Sequence, residues 1–351
     1  MGMHPKLKAD KFNIFHELII NSDKSDAVKK LYSLNLINEA QIPIWEKYLE
    51  DLQRENKIQA NAVDNLFLAS SSNISPEGFL SPSSPNSIVK SFVGASAIFG
   101  ADYTNIENLR GKTILDYGSG VYRPLNVATI LYCNGFDKVM AFEPYPIKIE
   151  FAKRAFYHLI ERMSNNPEVY IFSNISISNF LDRLRSFIDF RTDFKFDRFS
   201  SGDESNITIG NLFFCNNLNS IPINSIDVHL SNAVLEHIDN LSKSMSELRD
   251  RCTKDSFGIH IVDFLDHRHY DDYSISGMEK YYDGILDEIN GLTPTEMENQ
   301  IMECGWHLGK AHALKLPDGF LTKESRLMIE RYRKFPTSEL EEHVNYYMLS
   351  K

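Results

Sequence analysis

The sequence predicts an α/β fold: a doubly wound, mostly parallel sheet that finishes in a C-terminal antiparallel strand pair and is preceded by an N-terminal helical cap. Three observations carry this. From Thr113 onward, short β-rich runs alternate with amphipathic helical stretches. The first run, "TILDYG", passes through Asp116 into a turn that holds Gly118 and Gly120. The next, "KVMAFEP", ends in an acid, Glu143. Strand and helix in alternation give a parallel sheet covered on both faces, with ligands outside the carboxyl ends of its strands.

Taken in order, residues 1 to about 70 read as helices. "IPIWEKYLEDLQREN" places Ile44, Trp45, Tyr48, Leu49 and Leu52 on one face. Residues 69–87 are rich in Ser, Pro, Asn and Gly and read as a linker. "SIVKSFVGASAIFGADY" then reads as a helix leading into the next module. After the first strand, "RPLNVATILYCNG" is a helix ended by Gly135, and "PIKIEFAKRAFYHLIERM" follows the second strand as another helix. "EVYIF" reads as a strand, "FLDRLRSFIDFR" as a helix and "NLFFCNNL" as a short strand. "SIDVHLSNAVLEHI" is a strand into a helix, "MSELRDRC" continues helical, and "FGIHIVDF" is a strong strand. "RTDFKFDRFSSGDESNITIG" is polar and unperiodic, an inserted surface loop. A closing antiparallel pair is expected around "HLGKAHALKL", and "TSELEEHVNYYML" reads as part of a helical tail. The expected domains are a cap or lid over residues 1–100 and a ligand-binding domain over 101–351, with an insertion near 190–210.

Composition excludes several classes of function. The chain has 351 residues and a net charge of −11, with Lys and Arg scattered, which argues against a nucleic-acid partner. No segment has the apolar length of a membrane span, so no membrane partner is expected. Cys133, Cys215, Cys252 and Cys304 form no C-x-x-C pair and read as buried, reduced thiols of a cytoplasmic protein.

The glycine turn narrows the ligand. A phosphate loop of the G-x-x-x-x-G-K-[ST] kind is absent. A dinucleotide turn prefers a third glycine where this chain has Arg123. The class that remains is S-adenosyl-L-methionine (SAM), which has no phosphate to crowd against backbone amides. Glu143 is placed to accept hydrogen bonds from both ribose hydroxyls. Pro124 suits the first turn of the following helix, and Tyr122 and Arg123 are expected near the methionine end or the substrate.

"ILDYGSG" resembles the first motif of class I SAM-dependent methyltransferases, and "KVMAFEP" looks like their acidic second motif. "IPINSIDVHLSNAVLEHIDN" and "ECGWHLGK" are similar to two later elements of that family, in the family's order. The resemblance spans roughly residues 113–316 and implies a Rossmann-like fold with SAM as cofactor. By position it implies cofactor contacts from Asp116, Tyr117, Gly118, Ser119 and Gly120, with the ribose on Glu143. It further implies Asn217, or Asn216 in the alternative register, at the adenine amino group, and Ser231 and Asn232 beneath the methionine portion.

In a subset of the family, the "VLEHI" element holds a divalent cation. Here Ala233 replaces the first acid and leaves Glu236 and His237, so no metal is expected, and His237 is expected to face the substrate. "HIVDFLDHRHYDDY" resembles an element of methyltransferases from polysaccharide and secondary-metabolite pathways. On an extended strand His260 and Val262 point one way and Ile261 and Asp263 the other. Asp266 beside His267 offers an orienting carboxylate and a base; a metal on Asp263, Asp266 and His267 is the lesser reading.

The expected function is SAM-dependent methyl transfer to a hydroxyl, or an amine, of a small biosynthetic intermediate. His267 is the expected base, with Asp266 and His237 assisting. The rivals are an NAD-linked oxidoreductase and a non-catalytic SAM-binding protein. The N-terminal helices are expected to form either a lid, with Phe99, Tyr103 and Tyr122 nearby, or a homodimer contact.

Overall fold

A computed structural model of the chain describes residues 83–190, 206–264, 289–315 and 330–351. β1 (Thr113–Tyr117) lies inside the sheet, with β2 (Lys138–Phe142) and β5 (Ile226–Asn232) parallel to it on either side. Beyond β2 come β4 (Leu212–Cys215), parallel, and β3 (Asn206–Ile209), antiparallel. Beyond β5 come β6 (Cys252–Asp263), parallel, then β8 (Glu342–Ser350) and the edge strand β7 (His307–Lys315), each antiparallel to its predecessor. The order is β3-β4-β2-β1-β5-β6-β8-β7. This is a Rossmann-like doubly wound sheet with an antiparallel closing pair. The chain winds outward from β1 to β4 and returns at β5, so the topological switch point lies between β1 and β5.

The central strands are buried on both faces, as parallel strands between helices must be. Ile114, Val139, Val228 and Ile259 face one core layer, and Leu115, Met140 and Val262 the other. Over the first layer lie α1 (Ser83–Ile98), α2 (Asn126–Cys133), α3 (Ile149–Asn165), the single turn α4 (Pro167–Tyr170) and α5 (Ile177–Phe190). Over the second lie α6 (Leu241–Arg251) and α7 (Pro294–Glu303), followed in the chain by the short α8 (Glu330–Arg333) and α9 (Thr337–Leu340). α7 starts on a capping box: Thr293 Oγ1 accepts from the Glu296 amide at 3.2 Å, and Glu296 Oε2 accepts from the Thr293 amide at 3.1 Å.

Several elements differ from expectation. "EVYIF" is no strand: Pro167 opens the helical turn α4, and β4 takes the place beside β2. The inserted loop ends in β3, which forms a hairpin with β4 across Gly210 and Asn211. "VLEHI" is only a 3-10 turn, Leu235–His237, and the helix starts at Leu241, where Asn240 Oδ1 accepts from the Lys243 amide at 3.1 Å. "EHVNYYMLS" is β8, not helix. Its period is two: Val344 and Tyr346 enter one core layer, Tyr347 and Leu349 the other.

α1 begins inside the region assigned to the cap, yet it packs on the sheet. Val89, Phe92 and Ala95 share the core with Ile114, and the Phe92 ring stacks on Tyr103 at 5.4 Å. Residues 1–82, and with them the lid and dimer readings of the N-terminal helices, lie outside the described residues. So do 191–205, 265–288 and 316–329.

Candidate functional site

The site starts from the turn after β1. Gly118 and Gly120 take φ of 73° and 86°, values that disfavour a side chain. A β-carbon on Gly118 would also lie 2.6 Å from the γ-carbons of Val234. The amides of Gly118 and Ser119 both donate to the Phe142 carbonyl at 2.9 Å, which ties the turn to the end of β2. Glu143 completes the join. Its Oε2 accepts from the Gly120 amide at 2.7 Å and its Oε1 from the Tyr145 amide at 3.1 Å. Burial raises the Glu143 carboxyl above its ordinary pKa, while those two amides pull it back.

Asp116 lies one step deeper. It is 4% exposed, Oδ2 has no hydrogen-bond partner among the described residues, and its strand partners Ala141 and Leu230 are apolar. Burial, and then the nearby Glu143, push its pKa up to about 8.

Above these residues opens a cleft of about 570 Å³. Tyr117, Gly118 and Gly120 form one side, Phe142, Glu143 and Tyr145 a second, and Ala233, Val234 and His237 a third. The remaining wall is α6, through Lys243, Ser244 and Glu247. The cleft thus stands at the carboxyl ends of β1, β2 and β5, at the switch point. Ala233, where the chain leaves β5, has φ of 51°, a left-handed backbone rare outside glycine.

The expected residues divide into three groups. Tyr117, Gly118, Gly120, Glu143 and His237 line the cleft, and Asp116 lies beneath it. His237 Nε2 is 4.0 Å from Oε1 of Glu236, whose buried carboxyl is raised well above its ordinary pKa by burial and then by Asp263. Ser119, Asn217, Ser231 and Asn232 do not line it. Asn217 Oδ1 accepts from the Asn219 amide at 2.9 Å and caps the 3-10 turn Leu218–Ser220; its neighbour Leu218 enters the wall. Ser231 Oγ is 2.7 Å from His260 Nδ1, within the core. Tyr122 packs edge-on against Phe151 at 5.6 Å, away from the cleft lining. Asp266 and His267 lie outside the described residues.

Two features escaped the sequence reading. The α6 wall had a signal that could have found it: Asn240, Lys243, Ser244 and Glu247 stand at helical spacing on one face. The buried pair His229–His260, with Nδ1 and Nε2 2.9 Å apart, was not, because it depends on the register of β5 against β6. Both rings are held neutral: burial lowers His260 to about 3, and burial followed by His260 lowers His229 well below its ordinary value.

Fold and site define a class: a Rossmann-like α/β protein with a cleft at its switch point that Glu143, Asp239 and Glu247 help to line. No family model matches the sequence, and no curated protein matches it. Solved structures that match include a SAM-dependent methyltransferase from Mesorhizobium loti, with 10% identity, a TM-score of 0.37, and coverage of 74% of this chain and 96% of that one. A second is phosphoethanolamine N-methyltransferase 2 of Haemonchus contortus with SAM, at 12% identity and a TM-score of 0.38 over 84% of this chain and 58% of that one. A third is geranyl diphosphate C-methyltransferase of Streptomyces coelicolor, at 13% identity and a TM-score of 0.36 over 76% and 82% of the two chains. No residue's role follows from likeness at this level. Among the described residues no helix is long and apolar enough to cross a membrane.

Proposed function

We propose that the protein is a SAM-dependent methyltransferase that takes its cofactor in the cleft over the Asp116–Gly120 turn. The observation that carries this is the carboxylate pair at the turn. Glu143 is fixed over the glycines by the Gly120 amide, and Asp116 is buried beneath them with Oδ2 unbonded among the described residues. Two carboxyls beside one glycine turn repel a pyrophosphate. They suit a ligand that brings ribose hydroxyls and a positive charge instead. Gly120, where a β-carbon would meet nothing within 4 Å, leaves the turn open to close approach by a ligand, and about 570 Å³ is in the range of small-molecule sites.

When bound, the cofactor would supply an electrophilic methyl group. The chain's part is alignment, exclusion of water and removal of the acceptor's proton. Glu143 would hold the ribose and the glycine turn the amino-acid end. His237, in the cleft wall, would face the acceptor, with His267 as base and Asp266 orienting it. The reading includes a small acceptor with a hydroxyl in preference to an amine, a cytoplasmic setting, and the N-terminal region 1–100 as a lid or a homodimer contact. Ser119 in the turn, Asn217 at the adenine amino group, and Ser231 and Asn232 beneath the methionine portion remain in it as cofactor contacts, although none of them lines the cleft in this structure. Calorimetric titration of the full chain with S-adenosylhomocysteine and with NADH tests the cofactor: binding of the former alone is expected, and binding of NADH alone would sink the reading.

A further inference from the structure

One wall of the cleft is a short piece of chain with little structure of its own. Ala233, Val234, His237 and Ile238 line it, and it is shaped by one 3-10 turn, Leu235–His237. The His237 amide donates to the Val234 carbonyl at 3.0 Å, and the Ile238 amide to the Leu235 carbonyl at 3.4 Å. A single 3-10 turn is a weak element with poor bond geometry. Its other backbone groups need partners from elsewhere in the fold.

Asn290 supplies three of them. Its backbone amide donates to the Glu236 carbonyl at 2.7 Å. Its Nδ2 donates to the Leu235 carbonyl at 2.7 Å and to the Ile238 carbonyl at 3.2 Å. The Leu292 amide donates to Oδ1 at 3.1 Å, which fixes the carboxamide with its nitrogen toward the turn. Asn290 is anchored on both sides. Ile289 is buried in the second core layer, and the Gly291 carbonyl accepts from the Tyr332 hydroxyl at 2.6 Å. The three bonded carbonyls bracket His237 in the chain, two before it and one after. Asn290 itself does not line the cleft.

We propose that Asn290 is a positioning residue: it holds the Leu235–His237 turn so that the His237 imidazole stays aimed into the cleft at the methyl acceptor. This rests on the methyltransferase reading above. It adds that the aim of His237 is set by a residue from the segment that leads into α7.

Carbethoxylation of the full chain with diethyl pyrocarbonate, followed by mass spectrometry of the His237 peptide, reads how firmly the imidazole is held. Asn290→Ala should raise the His237 rate roughly five- to tenfold, the factor that about one net hydrogen bond gives. S-adenosylhomocysteine affinity, measured by calorimetry, should stay within about threefold of the parent, because Glu143 and the glycine turn are untouched. Leu184→Ala, a truncation in the other core layer, lowers stability alone and should leave the His237 rate at the parent's. Should Asn290→Ala fail to fold, Asn290→Ser, which keeps one donor, is read in the same way. An unchanged rate, or an equal rise in Leu184→Ala, overturns the assignment. So does a fall in S-adenosylhomocysteine affinity as large as the rise in rate, which would make Asn290 a general support of the cleft. If the parent does not bind S-adenosylhomocysteine, the cofactor reading falls, and the rates still decide whether Asn290 holds His237.

Discussion

The His229 side chain on β5 occupies the space that a β-carbon on Gly258 of β6 would fill. The two residues are register partners, and such a carbon would lie 2.0 Å from the imidazole Cε1. Gly258 is thus needed for room, with no unusual backbone angle involved. Gly258→Ala should destabilise the fold by about 1–3 kcal/mol through overpacking. In a His229→Ala background the same change should cost much less. A urea-denaturation cycle over the four proteins checks this; additive costs would show that the ring is not the obstacle.

The histidine pair also predicts acid sensitivity. Both rings are buried and neutral, with His260 lowered to about 3. The unfolded chain binds protons at these rings as pH falls through about 6.5, while the folded chain does not until the lowered values are reached. Their contribution is therefore present above about pH 6.5 and is lost progressively as pH falls toward about 3. Asp116 works with the opposite sign: raised to about 8, it costs stability as pH rises from its unfolded value toward 8. Net stability mixes the two, so the informative quantity is the difference between the parent and His260→Gln. That difference should shrink as pH is lowered from about 7.5 to about 4.5 in urea melts. A difference constant in pH would mean that His260 is not kept neutral by the fold.

How much of this was readable in the sequence follows from what each feature depends on. β1 and β2 were legible because each is a run of apolar residues bounded by turns, and the apolar second half of β6, "FGIHIVD", was legible too, though its polar first half from Cys252, directly after α6, was not; the glycine turn follows from Gly118 and Gly120 alone. β8 was not legible. "TSELEEHVNYYML" opens with helix-forming Glu and Leu, and α9 does form over its first residues. The strand beyond it is set by pairing with β6 and β7, which no local window contains. In the cleft, Glu143 and the glycines were legible by their positions at strand ends. The missed parts, such as the unbonded Asp116 oxygen and the His229–His260 contact, arise between elements far apart in the chain.

Ala233 offers a test of strain at the cleft. Its φ of 51° places a β-carbon in the left-handed region, while its amide is held by the Ile261 carbonyl at 2.9 Å. An alanine pays roughly 1–2 kcal/mol for that conformation, which glycine does not, though glycine loses more chain entropy on folding. Ala233→Gly should therefore raise stability by roughly 0.5–1 kcal/mol. Thermal melts at fixed pH measure it. A loss of stability would mean that the methyl group's packing outweighs the backbone cost.

Glu143 is the residue on which the cofactor assignment turns most directly. Its two oxygens each accept a backbone amide, from Gly120 at 2.7 Å and from Tyr145 at 3.1 Å. Glu143→Gln keeps the shape but replaces one acceptor with an NH2 group, which must then face an amide N–H as donor against donor. The turn loses one of its ties to the end of β2 or the side chain swings away, and the charged acceptor for the ribose is gone in either case. Affinity for S-adenosylhomocysteine should fall by about 1–3 kcal/mol, roughly five- to 150-fold. Glu143→Asp should also weaken binding, because the shorter side chain cannot span both amides and still meet the ligand. Calorimetric or fluorescence titration separates these effects from misfolding, provided that the variants melt near the parent. Unchanged affinity in Glu143→Gln would remove the carboxylate from the ligand's reach and move the nucleoside elsewhere in the cleft.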